Sequence, residues 1–499
     1  MSKKIILTII DGLGLSENSI GNAYALAKHP TFDKLFNEYP NSIIQASGEY
    51  VGLPQNQIGN SEVGHLNIGA GRIVYTGLSL INQSIKDRSF YSNEVFLKTI
   101  NSVKEQNQTL HIFGMLSDGG VHSLDTHIFE LLNLCYEQKL KNVSIHIFGD
   151  GRDTAPQSIK KSLNQLIQLS KKYNYPISSI AGRFYAMDRD KMFDRNQLAY
   201  DAILGNSTNV FTDPMEYIDS QYQKNIFDEF LIPAMNKNGQ FIQDNDSVIF
   251  ANFRPDRARQ LTHMFINSNT YEYKPNQRYK LNTFVSMMKY EGLDTEIAFN
   301  EMEVKNSLGE VLATHKINQL RLAETQKYAH VTFFFDGGKD IVFNNEQRIL
   351  VDSQKVESYA DAPEMSAKGI TDQLLQNLNN NDFVIMNYAN PDMVGHTGDL
   401  KATIKAIEIL DKEFSRILNY IKQNNNIVWF ITADHGNAEE TEDELQNKLT
   451  KHTTNPVMFI STDKNIKLNN GSLCDIAPTI LNYLNINIPE EMTGKSLLK

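Results

Sequence analysis

Cysteine is nearly absent from this chain: two occur in 499 residues, Cys135 and Cys474, in unrelated contexts and without metal-ligand spacing. That excludes a disulfide framework and a cysteine zinc site, and both thiols read as core fillers in a reducing cytoplasm. No stretch approaches the roughly 18 apolar residues that a bilayer crossing needs. The apolar run after Lys3 and Lys4 is short, stops at Asp11 and lacks a small-residue cleavage pattern, so it is not a signal peptide. Basic charge is also in deficit; a formal net charge of −11 argues against a general nucleic-acid binder. There is no internal repeat, and the Asn-rich patch at Gln376–Asp382 reads as a solvated turn. The expectation is a cytoplasmic monomer with neither membrane nor nucleic-acid partners.

What the chain does contain is alternation. Seven β-branched and aromatic runs are each followed by a polar or glycine-rich corner: IILTIIDG, TLHIFGMLSDGG, VSIHIFGDGRD, SVIFANFRPDR, HVTFFFDGG, DFVIMNYANPD and IVWFITADHG. Near-continuous hydrophobicity suits strands buried on both faces, and helical patterns at Asp125–Glu137, Ser158–Lys172 and Leu400–Lys422 lie between them. The pattern predicts an α/β fold of two α/β domains with largely parallel sheets. Length suggests about two to four domains. Crossings placed at Arg72–Gly77 and Phe299–Leu308 give a discontinuous domain, 1–75 plus 302–499, interrupted by an insertion, 76–301. The second crossing precedes a helical pattern, GEVLATHKINQL.

Five separated stretches carry metal-capable or nucleophilic groups: Asp11, Ser61, Asp392 with His396, Asp434 with His435, and His452. Singly, each has an ordinary use; an Asp at a strand end is often a turn residue, and Ser61 fits a helix N-cap. Jointly, three Asp, three His and one Ser can hold a pair of divalent cations around a hydroxyl, an arrangement that recurs in phosphoryl chemistry. Metal coordination also activates a serine hydroxyl, a weak nucleophile when free. The first two groups lie in the opening 65 residues and the rest beyond residue 390, so the two ends of the chain must meet.

These segments resemble the alkaline phosphatase superfamily and, more narrowly, its cofactor-independent phosphoglycerate mutases. The resemblance runs over essentially the whole chain, through DGLGL, GNSEVGHLNIGAGR, SDGGVHS, GDGRDTAP, GRFYAMDRD, FRPDRARQ, ETQKYAHVTFFFDGG, NPDMVGHTGD and TADHGNAE. It implies an alkaline-phosphatase-like metal domain interrupted by an inserted transferase domain. It implies further that Asp392, His396 and His452 take one metal, and that Asp11, Ser61, Asp434 and His435 take the other. The donor set suits Mn²⁺ and admits Zn²⁺ or Co²⁺.

The middle segment adds Asp118, His122, Arg152, Asp153, Arg183, Arg189, Arg254 and Arg257, all at strand-end corners. Arginine's planar fork grips carboxylate and phosphate oxygens in pairs, and a phosphorylated three-carbon acid offers both. By the resemblance, these arginines hold 2- and 3-phosphoglycerate, Asp153 handles substrate hydroxyl protons with His122 close by, and Lys327 stands beside a phosphoserine at Ser61. Departures from the resembled pattern are Leu124, Met192 with Phe193, and Asp336; none is a metal ligand or a cleft arginine. The rival readings are a phosphatase or phosphopentomutase of the same superfamily, or a non-catalytic metal-binding relative.

Overall fold

KIILTII forms the strand Lys4–Ile10, fully buried from Ile5 onward, as a β-branched run with no polar alternation requires. Each Ile or Leu so buried stabilises the fold by about 1.5–3 kcal/mol. In the computed structural model, which describes residues 3–75, 77–266 and 268–499, this strand lies inside an eight-stranded sheet. The chain divides into two compact units, Met1–Tyr75 with Met302–Lys499, and Thr76–Glu301. Thr76, at the expected crossing, is outside the described residues.

The sheet of the first unit runs in the order Glu346–Val351, Gln319–Glu324, Phe383–Tyr388, Lys4–Ile10, Ile427–Thr432, Val457–Ser461, Asn41–Gln45, Gly471–Ser472. Its first five strands are mutually parallel, and Val457–Ser461 is antiparallel to both neighbours. Register sets Ile10 opposite Tyr388, and Ile9 opposite both Asn387 and Thr432. The residues after these strands therefore emerge side by side at one edge, where open α/β sheets place their ligands. Trp429, the sole tryptophan of the chain, is fully buried on the strand Ile427–Thr432 and donates its indole N–H to Thr8 Oγ1 at 2.8 Å.

The second unit has its own eight-stranded sheet, ordered Glu296–Ile297, Thr283–Ser286, Ser247–Phe250, Leu110–Leu116, Val143–Gly149, Ile177–Gly182, Ala234–Asn236, Val210–Phe211. Only the pairing of Ile177–Gly182 with Ala234–Asn236 is antiparallel. The α/β fold with two largely parallel sheets is the one the alternation implies. Helices Asp125–Glu137, Ile159–Tyr173 and Leu400–Gln423 fall on their expected spans to within a residue.

Two local expectations need correction. HVTFFF is not a strand; His330–Phe334 is a turn of π-helix. Val331, Thr332, Phe335 and Asp336 are buried whereas Phe333 is exposed, a helical spacing of the apolar positions, not an alternating one. The helix read from GEVLATHKINQL is shorter, Leu308–Thr314; Lys316 turns left-handed at φ 58°, and Gln319 opens the strand Gln319–Glu324 instead. Asp336, one of the departures, has a partner: Arg321, itself fully buried, donates to it at 3.0 Å.

Candidate active site and metal centre

Ser61 is the first residue of the helix Ser61–Ala70, but it does not cap that helix. Asn60 does, its side-chain oxygen accepting the Val63 N–H at 2.9 Å. The serine hydroxyl is thus released from the usual duty of its position. Ser61 Oγ donates to Asp11 Oδ1 at 3.0 Å, meets His435 Nε2 at 3.0 Å, and accepts from Lys327 Nζ at 2.7 Å. The helix N-terminus adds a partial positive charge at this point. Gly64, one turn along, faces Asp434 so closely that a Cβ would stand 2.7 Å from the aspartate's Cβ and carbonyl oxygen. A side chain there would push the helix off the carboxylate.

Lys327 is buried, and its Nζ lies 2.7 Å from each of Asp11 Oδ1, Asp392 Oδ2 and Ser61 Oγ. Burial works against the ammonium charge, yet Asp11, Asp392 and Asp434 raise its pKa above the ordinary lysine value. Burial likewise disfavours ionised Asp11 and Asp392, and Lys327 reverses the balance, holding both below the usual carboxylate range. His435 is pushed up to about 10: burial opposes its charge, but Asp434, Asp11 and Asp392 surround it. Three carboxylates at this point strongly favour positive charge.

The six proposed side-chain ligands besides Ser61 fall into two groups whose ligand atoms lie within 4.8 Å of one another: Asp392, His396 and His452, and Asp11, Asp434 and His435. All three histidines point Nδ1 at a backbone carbonyl: His396 at Thr450 (2.8 Å), His452 at Gly59 (2.9 Å) and His435 at Gly436 (3.2 Å). In the neutral ring that a bound cation requires, that contact fixes the tautomer and turns the Nε2 lone pair inward. His396 Nε2 and His452 Nε2 then face each other at 3.0 Å, and both approach Asp392 Oδ1, at 3.2 and 3.1 Å. Two lone pairs converging on a carboxylate call for a cation. Asp434 Oδ2, fully buried and left without a well-aligned hydrogen bond although His65 Nδ1 lies 3.1 Å away, makes the same demand in the second group. The donor set fits divalent metals.

Neither His65 nor Asn387 is among the expected site residues, yet both brace it. Asn387 ends one N–H on Asp11 Oδ2 at 2.7 Å and another on His65 Nε2 at 3.1 Å, while His65 Nδ1 donates to the Ser61 carbonyl at 2.8 Å. The available signal was polarity in the wrong place: an Asn inside a buried strand, and a His four residues after the serine.

In the second unit, Arg183 is buried and donates to Asp150 Oδ1 at 2.6 Å and Asp153 Oδ2 at 2.5 Å. His122 Nε2 lies 3.7 Å from the same Asp153 oxygen, and its Nδ1 lies 3.3 Å from Asp256 Oδ1. Burial, then the charge of Arg183, brings His122 down to about 4, so it is neutral near pH 7. Asp256 also holds Arg189 at 2.9 Å and Arg254 at 3.2 Å. Arg257 donates to the Met187 carbonyl, and after burial its pKa is lowered by Arg183, Arg189 and Arg152. Five guanidinium groups, those of Arg152, Arg183, Arg189, Arg254 and Arg257, thus share one neighbourhood, which favours an anion. Arg152 is the most loosely held, 3.5 Å from Glu229. Asp118 stays outside the group, paired with exposed Lys161. Asp150 and Asp256 were not anticipated; they stand inside GDGRD and FRPDR, where composition does not separate a free guanidinium from the carboxylate that orients it.

The Metalloenzyme superfamily matches residues 3–488. A 2,3-bisphosphoglycerate-independent phosphoglycerate mutase of Metamycoplasma hominis is 66% identical over 498 residues, covering 100% of both chains. One of Mycoplasma mobile is 62% identical over 504 residues, covering 100% of this chain and 99% of the relative. A crystal structure of Leishmania mexicana phosphoglycerate mutase at low cobalt concentration matches with a TM-score of 0.58 and 27% identity, over 100% of this chain and 98% of that one.

Proposed function

The chain belongs to the 2,3-bisphosphoglycerate-independent phosphoglycerate mutase family, and from that premise we propose that it interconverts 3-phosphoglycerate and 2-phosphoglycerate through a phosphoserine at Ser61. It is an isomerase that needs no added bisphosphoglycerate. The observation that carries this reading is the Ser61 hydroxyl, held within 3.0 Å of Asp11, His435 and Lys327. Asp392, His396 and His452 hold one divalent cation, and Asp11, Ser61, Asp434 and His435 the other, with Mn²⁺ expected and Zn²⁺ or Co²⁺ admitted by the ligands. When bound, the two cations neutralise phosphoryl charge and favour the ionised serine.

The residues of the chain do the rest. Asp11 accepts from the serine hydroxyl while Lys327 donates to its oxygen, a pairing that favours loss of the proton. The bond from phosphorus to O3 of 3-phosphoglycerate breaks, a bond from phosphorus to Ser61 Oγ forms, and O3 takes up a proton. Arg183, Arg189, Arg254, Arg257 and Arg152 keep glycerate from leaving, because its loss would convert transfer into hydrolysis. Glycerate turns, Asp153 removes the proton of the 2-hydroxyl, and that oxygen recovers the phosphate as the Oγ–phosphorus bond breaks; the proton taken by Asp153 is then released and Ser61 Oγ takes up one in its place, restoring both groups. Two inversions give retention at phosphorus. In this reading 1–75 with 302–499 is the metal domain and 76–301 the substrate domain. The enzyme works as a cytoplasmic monomer in glycolysis and gluconeogenesis.

A coupled enolase assay without added bisphosphoglycerate, with free phosphate measured in parallel, tests the proposal. Enolase product without phosphate release is expected; phosphate release without product would make the chain a phosphatase. Chelation supplies a second prediction. The His396 side chain is 41% exposed and that of His452 14%, whereas Asp11, Asp434 and His435 are fully enclosed. Metal should therefore leave in two phases, fast from the histidine-rich group and slow from the other. Stopped-flow mixing with a chromophoric chelator reads this directly; a single phase would assign both cations the same exit.

A further inference from the structure

We propose that Glu439 is the positioning residue that sets both metal groups in register, an inference that rests on the two-metal reading above. Glu439 is fully buried, and its two oxygens accept from four donors. The Gly14 N–H and the Asn437 N–H reach Oε2, each at 2.9 Å. The Asn455 amide reaches Oε1 at 3.0 Å, and the Thr453 hydroxyl donates to the same oxygen. These donors come from three separate loops, and each loop carries ligands. Gly14 follows Asp11, Asn437 follows Asp434 and His435, and Thr453 follows His452.

The approach of the carboxylate is built into the backbone. A Cβ at Gly14 would stand 2.3 Å from Glu439 Oε1, and one at Gly436 2.1 Å from the same atom. A Cβ fits at neither place without moving the glutamate. The tie continues to the second group, since Asn437, held through its N–H by Glu439, donates its own amide to Asp392 Oδ1 at 2.9 Å. One carboxylate thereby fixes the relative position of Asp11, His435, His452 and Asp392. It touches no reacting atom and acts only through these loops.

Glu439→Gln is the sharp test, because both oxygens face donors only. Turned toward the Oε2 position, its NH₂ meets two backbone N–H groups; turned toward the Oε1 position, it meets the Asn455 NH₂, and only the Thr453 hydroxyl can rotate to accept from it. Groups that orient metal ligands are worth roughly 10–100-fold in metal affinity. Calorimetric titration with Mn²⁺ should show both cations bound that much more weakly, and the rise in melting temperature on adding Mn²⁺ should shrink. Thr453→Val, which removes one donor and keeps the shape, should give the same change in smaller measure, and Thr453→Ser should restore it, so the test stands even if Glu439→Gln folds poorly. Unmodified chain that takes up no divalent cation would overturn the two-metal reading itself. Variants that bind Mn²⁺ as tightly as the unmodified chain, while melting lower by the same amount with and without metal, would reduce Glu439 to a structural carboxylate and overturn this inference alone.

Discussion

Ser61→Ala is expected to abolish mutase activity while leaving the fold in place. The loss is complete because the hydroxyl is the covalent acceptor, and among the described residues no second hydroxyl is hydrogen-bonded to Asp11, His435 or Lys327. The fold survives because helix capping at this point belongs to Asn60, not to the serine. Alanine at the first helical position is also well tolerated. Circular dichroism should show an unchanged spectrum and a melting temperature within a few degrees of the parent. Brief exposure to substrate with labelled phosphate should label the parent and not the variant. Activity above a few per cent with metals bound would sink the phosphoserine route.

Asp153→Asn is expected to lower turnover by about 10²–10⁴, the usual worth of a positioned acid or base. The amide keeps the shape and can still accept from Arg183, but it cannot take the proton of the 2-hydroxyl. KM should change far less, because Arg183, Arg189, Arg254 and Arg257 remain. The split between kcat and KM, measured in the coupled assay in both directions, is the test. Near-normal turnover would pass the proton transfer to His122, which lies 3.7 Å from Asp153 and is held neutral by burial and Arg183.

How much of this was legible in the sequence depended on how far a residue's role is set by its own neighbours. Strands such as Lys4–Ile10, Phe383–Tyr388 and Ile427–Thr432 declare themselves, since uninterrupted apolar runs have few other uses. Asp11, Asp392 and Asp434 stand out for the same reason, as carboxylates where such runs stop. The strand Gln319–Glu324 hid because Gln319, Arg321 and Glu324 are polar yet fully buried, their partners lying far along the chain. The π-helical turn at His330–Phe334 hid behind its composition: Val, Thr and Phe have strand propensity, and only packing decides that Val331 and Phe335 face inward together. Bracing groups were least visible. His65 within a helix and Asn387 within a buried strand are polar where apolar residues are expected, but that does not say what they brace, and nothing local marks Glu439 at all.

The solitary indole of Trp429 turns the first unit into its own reporter. Its fluorescence originates in the sheet that carries Asp11 and Asp434, and the unit Thr76–Glu301 contains no tryptophan at all. Emission during denaturation follows one half of the chain, while far-ultraviolet ellipticity follows both. Where the two transitions coincide, loss of one unit drags the other with it. Where they part, the gap between their midpoints measures how independently an interrupted polypeptide keeps each of its halves.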